Sequence, residues 1–180
     1  PPPPPPPPPT TLRLTRRQRQ MCIRDRLPVN TMIADTMAAD IEIQIVDWHD
    51  RQEALKAIRK SVFIDEQHVP KDLEWDGRDM ECTQFLVTAD SVPVATARLT
   101  PEGQIGRMAV LKDFRGKGFG SRLLAAVIEQ AKHAGHKQVF LHAQVSVLEF
   151  YQRHGFTACG DVFIDAGIEH RSMTLVFDDQ

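Results

Sequence analysis

Glycine at every second position, interleaved with two cations, makes Arg115-Gly116-Lys117-Gly118-Phe119-Gly120 the segment of this chain best suited to hold an anion. Glycines let a backbone turn tightly and bring its N–H groups close to a ligand, and a helix that follows adds unpaired donors and the positive end of its dipole. The flanks fit that arrangement. Ile105 to Leu111 is rich in apolar residues, as in a buried strand, and from Ser121 to Ala134 the apolar residues recur at helical spacing. Each charge-assisted hydrogen bond to a phosphate contributes roughly 1.5–3 kcal/mol, so a handful, with Arg115 and Lys117 among the donors, anchors a diphosphate.

Other glycine loops fail on spacing. A Walker loop ends in Lys followed by Ser or Thr, whereas here Lys117 lies inside the loop and Gly120 is followed directly by Ser121. A dinucleotide loop requires G-x-G-x-x-G and an acid some 20 residues on, and neither is present. The catalytic and metal-binding motifs that accompany a kinase loop are missing too. A basic surface turn is the plain alternative.

The pattern R-x-x-G-x-G after a strand resembles the acyl-CoA diphosphate loop of the GNAT-type N-acetyltransferases. A second motif follows at the expected distance, because Phe150-Tyr151-Gln152-Arg153-His154-Gly155-Phe156 is similar to that family's F-Y-x-x-x-G-F segment. Val62-Phe63-Ile64-Asp65-Glu66-Gln67-His68-Val69-Pro70, Glu74-Trp75-Asp76 and Gly167 to Met173 resemble its ElaA-like branch. Together the similar segments cover about residues 41–177. The resemblance implies an α/β fold of the α+β mixed kind, with a twisted central sheet splayed at its middle and flanked by helices.

It also implies a reaction, the transfer of an acetyl group from acetyl-CoA to a primary amine. Attack is direct, through a tetrahedral intermediate, with no covalent enzyme intermediate and no metal. Arg115, Gly116, Lys117, Gly118, Phe119, Gly120 and Ser121 would hold the diphosphate. Met108, Ala109 and Val110 would hold the pantetheine arm by their backbone, whose N–H groups could polarise the thioester carbonyl. Gln144, where many family members carry Asn, would hold that arm or the start of the next helix. Tyr151, the single tyrosine of the chain, takes the position of the acid that protonates the leaving thiolate. For the base, Glu66 ranks first, with Glu74, His142 and His170 as competitors.

Each of these residues also has a structural reading. Tyr151, Met108 and Val110 suit a core, the carboxylates suit a solvated loop, and a strand histidine is commonly a hydrogen-bonded structural group. Gln84 stands where similar chains tend to carry His, which puts part of the acceptor pocket in question. A non-catalytic acyl-CoA-binding sensor is the alternative from another class.

Composition separates two regions. Residues 1–9 are all proline, and six arginines against Asp25 give the first 26 residues a formal charge of +5, leaving −7 for the rest of a chain whose total is −2. Residues 1–40 read as a disordered leader, because they carry no periodic apolar pattern with which to offset the entropy of ordering. The string Arg16 to Arg26 resembles a translated sequencing adapter, so residues 1–26 are expected to be non-native, with a start at Met32 or Met37.

Residues 41–180 are then one N-acetyltransferase domain, large enough to need no disulfide. Cys82 and Cys159 have no C-x-x-C or zinc spacing. With no secretory or membrane-length apolar run, the expected compartment is the cytoplasm. The acidic body argues against nucleic acid. The expected partner is a small-molecule or peptide amine, with a homodimer left open, and the acids Asp72, Glu74, Asp76 and Asp79 hint that the amine is cationic.

Periodicity outlines the elements that must position these groups. Ile41–Val46 alternates as a half-buried strand, Asp50 to Ser61 reads as a helix, and 62–82 reads as an irregular loop. Gln84 to Thr88 and Val92 to Thr100 suggest a hairpin. The helix from Ser121 is expected to end with Gly135 as its C-cap, before a strand at Gln138 to Ala143. A short helix through Tyr151 then precedes two strands punctuated at Asp165 to Gly167.

Overall fold

The computed structural model describes residues 40–177; the expectations for the proline tract, the basic leader and the start sites lie outside the described residues. The first strand, β1 (Ile41–Val46), runs into helix α1 (Trp48–Arg59). Asp47 caps that helix, its carboxylate accepting the N–H of His49 at 2.8 Å. The helix starts two residues earlier than its periodicity suggests and continues as a π-helical segment, Lys60–Glu66. Residues 62–82 are therefore more ordered than expected, and they also contain the single turn α2 (Lys71–Glu74) and a short turn at Asp79–Glu81.

Strands β2 (Thr83–Ala89) and β3 (Val92–Leu99) form the expected hairpin, with Asp90 and Ser91 both at positive φ, 49° and 66°, as a type I′ turn requires. Strand β4 (Ile105–Val110) follows, then helix α3 (Phe119–His133), β5 (Gln138–Gln144), α4 (Leu148–Gln152), β6 (Thr157–Asp165) and β7 (Ile168–Val176). Ala134 is the C-cap of α3, with Gly135 one residue beyond at φ +83°. Gly135 N–H donates to Lys132 O and His136 N–H to Ala131 O, the Schellman pattern that ends a helix.

The expected splay of the sheet is present, and it separates the strands into two antiparallel sheets, β1-β2-β3-β4 and β5-β7-β6. They touch through one parallel bridge, Gln104 to Phe140, where Phe140 N–H donates to Gly103 O at 3.1 Å. Beyond that point β4 and β5 share no ladder. Helix α3 holds the two halves together. Its stripe of Leu123, Leu124, Val127 and Ala131 is buried in one core with Val87 and Val94 of the first sheet and Val139, Leu141 and Met173 of the second. On the other face of the first sheet, Leu55, Ile58 and Val62 pack on Leu86 and Ala109. No helix among the described residues is long and apolar enough to cross a membrane.

A charge network fixes the segment between α1 and β2. Arg59, 1% exposed, donates through Nε to Glu74 Oε1 and through a terminal nitrogen to Asp79 at 2.6 Å. Arg98 pairs with Asp79 at 2.9 Å and, more closely, with Asp76, while Arg107 pairs with Glu74 at 2.9 Å. Glu74 and Asp79 are thus buried ion-pair partners and not solvated loop charges, and the hint of a cationic amine drawn from them is corrected. Only Asp72 of the four acids stays exposed without a place in this network.

Its hydrogen bond to Arg98 holds the Asp76 carboxyl well below the usual carboxylate range. A depressed carboxylate stabilises the fold above its unfolded value of about 3.9, and that contribution is lost as pH falls through the folded value. Urea unfolding between pH 7 and 2 is expected to show stability falling below about pH 4. Asp76→Asn is expected to be less stable at pH 7 and to have a shallower acid slope; an unchanged slope would show that Asp76 carries none of it.

Candidate active site

The cleft opens where β4 leaves β5, and β4 itself is irregular there. Thr96 faces Ala109 and Arg98 faces Gly106, so Arg107 and Met108 stand together opposite Ala97 as a β-bulge. Arg107 adopts φ +49°, a conformation costing a non-glycine residue roughly 1–2 kcal/mol. Within the cleft the hydroxyl of Tyr151 donates to the sulfur of Met108 at 3.7 Å. Tyr151 projects from α4 among the rings of Phe150 and Phe156, which fixes its direction. Burial raises its pKa to about 12, so the phenol keeps its proton at neutral pH.

The glycine loop lies at the other end of β4. Gly116 and Gly118 have φ of +74° and +84°, and a side chain at either would meet open space. These two need to be glycine for conformation. Gly120 does not, since its φ is ordinary and an added Cβ would sit at a normal 3.6 Å from the Phe150 ring. Helix α3 begins at Phe119, two residues earlier than expected, because Gly118 takes the N-cap position. With no side chain at Gly118 to cap them, the first N–H groups of the helix, at Phe119, Gly120 and Ser121, have no intrahelical acceptor and form an anion-binding end.

The cations of the loop have partners of their own. Arg115 donates through Nε to Val110 O at 2.9 Å and through its two terminal nitrogens to Glu66 at 2.6 and 2.8 Å. Lys117 lies over the Phe114 ring, 5.4 Å from its centroid. The Arg115 hydrogen bond holds the Glu66 carboxyl below its ordinary value and so weakens it as a base. Both side chains of the pair are 39% exposed. Such pairs contribute only about 0.2–1 kcal/mol, less than one charge-assisted hydrogen bond to a phosphate at about 1.5–3 kcal/mol.

The other predicted residues distribute unevenly. Gln144, at the end of β5, donates to Gln67 Oε1 at 2.9 Å and so ties the second sheet to the segment carrying Glu66. His142 and His170 lie on the outer face of the β5-β7-β6 sheet, on either side of Phe163, at centroid distances of 5.1 and 6.0 Å. Alternation explains this placement: Leu141, Ala143 and Met173 take the buried face, so their neighbours cannot. Tyr151 packs on the core side, so the two histidines and Tyr151 do not converge. Glu74 is committed to Arg59 and Arg107, where burial pushes its pKa up against the pull of the guanidinium groups. Gln84 is buried and donates to Asp79 O at 2.8 Å, within the same structural cluster.

Sequence reasoning missed Arg59, Arg98, Arg107 and Gln67. Arg59 did leave a signal, because it falls beside Leu55, Ile58 and Val62 on the apolar face of its helix, where a charge must find a buried partner. A separate cavity of about 590 Å³, lined by Trp48, Lys56, Lys60, Trp75 and Met80, lies outside α1 and includes none of the cleft residues.

Residues 46–177 match the family model for the acetyltransferase (GNAT) domain. The chain belongs to the GNAT acetyltransferase family. It is 36% identical over 131 residues to YyaT of Bacillus subtilis, covering 69% of this chain and 88% of that protein. YjcF of the same organism, an uncharacterized N-acetyltransferase, is 32% identical over 120 residues, with 64% and 86% covered. Among solved structures, ElaA of Escherichia coli superposes with a TM-score of 0.68 at 29% identity, over 74% of this chain and 98% of that one. An acyl-CoA N-acyltransferase from Pseudomonas aeruginosa gives 0.65 at 27%, over 76% and 98%. The GNAT acyltransferase fold and the likeness to ElaA are therefore as the motifs implied.

Because Tyr151 is the single tyrosine of the chain, phenolate absorbance reads it alone. A rapid alkaline pH jump on the folded protein is expected to give a midpoint near 12. A midpoint at the ordinary value of about 10 would show that the hydroxyl is solvated.

Proposed function

We propose that this GNAT protein transfers the acetyl group of acetyl-CoA to the primary amine of a small molecule or peptide, by direct attack in the cleft between β4 and β5. The observation that carries the reading is the Tyr151 hydroxyl, held against Met108 where the two strands part. Its support at the other end of β4 is an anion site of suitable chemistry, two positive-φ glycines, an uncapped helix N-terminus and two cations. Bound there, acetyl-CoA would supply an activated acyl thioester.

The chain's own groups then divide the work. Gly116, Gly118, Phe119, Gly120 and Ser121 offer backbone donors to the diphosphate, and Arg115 and Lys117 offer charge. Met108, Ala109 and Val110 offer main-chain groups to the pantetheine arm, with Gln144 at the end of β5, hydrogen-bonded to Gln67, as a further candidate to hold it. A main-chain donor aimed at a developing oxyanion is typically worth roughly 2.7–4 kcal/mol. Tyr151, protonated at neutral pH, delivers the proton that the departing thiolate requires.

Glu66 is our choice for the base. Phosphate competes for Arg115, and the small free energy of an exposed pair makes that exchange favourable. Released from Arg115, the Glu66 carboxyl returns toward its ordinary value and can accept the ammonium proton directly or through water. His142 and His170, turned to the outer sheet face, are less well placed for that task. A cytoplasmic setting, with neither nucleic acid nor membrane as partner, fits the acidic body of the chain.

Thiol release from acetyl-CoA over a panel of amines tests the reading; acetyl-CoA binding with no amine-dependent release would instead favour a sensor. Tyr151→Phe is expected to lower turnover at least about tenfold with acetyl-CoA affinity nearly unchanged. Unchanged turnover would remove Tyr151 from the chemistry. Arg115→Glu combined with Lys117→Glu should weaken acetyl-CoA binding by calorimetry, whereas Glu66→Gln, which removes the competitor for Arg115, should strengthen it. Equal affinities across all of these variants would relocate the diphosphate.

A further inference from the structure

Arg107 is the one residue of β4 with a positive φ, and its side chain is held through Nε and one terminal nitrogen. Nε lies 2.9 Å from Glu74 Oε2. A terminal nitrogen donates to Leu73 O at 2.8 Å and to Glu74 O at 3.2 Å, and lies 3.3 Å from Asp76. The acceptors are themselves fixed, Glu74 by Arg59 and Asp76 by Arg98, so the anchor is a closed set of three guanidinium groups and three carboxylates. A left-handed non-glycine residue persists only where its surroundings over-determine it, and this set supplies that constraint.

The next residue is Met108. It shares the bulge opposite Ala97, so it has no partner of its own on β3, and its sulfur receives the Tyr151 hydroxyl. We propose that Arg107 is a positioning residue for acyl transfer: locked to the Glu74 turn, it sets the bulge that aims the Met108 and Ala109 backbone and the Tyr151 hydroxyl into the cleft. Arg107 itself need touch neither donor nor acceptor. The inference rests on the acyl-transfer reading above, and it predicts that losing Arg107 damages turnover far more than acetyl-CoA binding, because the diphosphate loop, with the charge-assisted contacts, lies beyond the other end of β4.

Steady-state kinetics on Arg107→Ala and Arg107→Lys test this, alongside amide NMR of both variants. Arg107→Ala is expected to lower kcat at least tenfold with KM for acetyl-CoA within threefold, and to displace the Met108 and Ala109 resonances while leaving β1 unmoved. Arg107→Lys, which can hold the Glu74 carboxylate but not the two carbonyls as well, is expected to recover most of that kcat, ending two- to fivefold below wild type. Wild-type kcat in Arg107→Ala, or a loss accounted for by KM alone, would overturn the proposal. If Arg107→Ala does not fold, wild-type kcat and unmoved resonances in Arg107→Lys overturn it. Should the wild-type protein release no thiol with any amine, the acyl-transfer reading fails, and the NMR arm still decides whether Arg107 sets the bulge: unmoved Met108 and Ala109 resonances would say that it does not.

Discussion

The pairing of Arg59 and Arg98 with Glu74 and Asp79, all at most 5% exposed, is the constraint on which the geometry of this protein depends. Each of these charges would be unaffordable alone in the interior, and removing one partner of such a pair typically costs about 3–5 kcal/mol. The network fastens α1, the α2 turn and β3 together, and through Arg107 it reaches the bulge of β4. The stripe of α3, packed in one core with residues of both sheets, holds the two sides of the opening together.

Within that opening the chain sets neutral and charged groups at separate ends. Tyr151 is half-buried among aromatic rings, and the desolvation keeps its proton, whereas residues 115–118 of the glycine loop are exposed and cationic. The Arg115–Glu66 pair joins the loop to the segment leading into α2, and Gln144–Gln67 joins that same segment to the second sheet. Residues 66 and 67 therefore contact both walls of the cleft.

Short-range signals were the legible part of the fold. The Asp90-Ser91 and Ala166-Gly167 turns, the α3 stripe and the glycine loop each follow from a few adjacent residues, and each lies where the sequence placed it. The Phe150 to Phe156 motif likewise brought Tyr151 to the cleft. What escaped was set by contacts across long stretches of chain. Arg59 meets Asp79 from 20 residues away and Arg98 meets it from 19, so an acid that looks solvated in the sequence is a buried partner. The bulge at Arg107 depends on a turn more than 30 residues upstream. Histidines 142 and 170 suit a base by type, but strand alternation turned them outward, a consequence of register that residue type does not carry.

Acetyl-CoA bound as proposed would occupy the gap between β4 and β5, with its diphosphate on the loop before α3. Amide hydrogen exchange with and without acetyl-CoA measures this residue by residue. Added protection is expected at 108–110 and 116–121 and at Gln144, with β1 unchanged. Protection confined to the cavity outside α1, or none on the glycine loop, would contradict it.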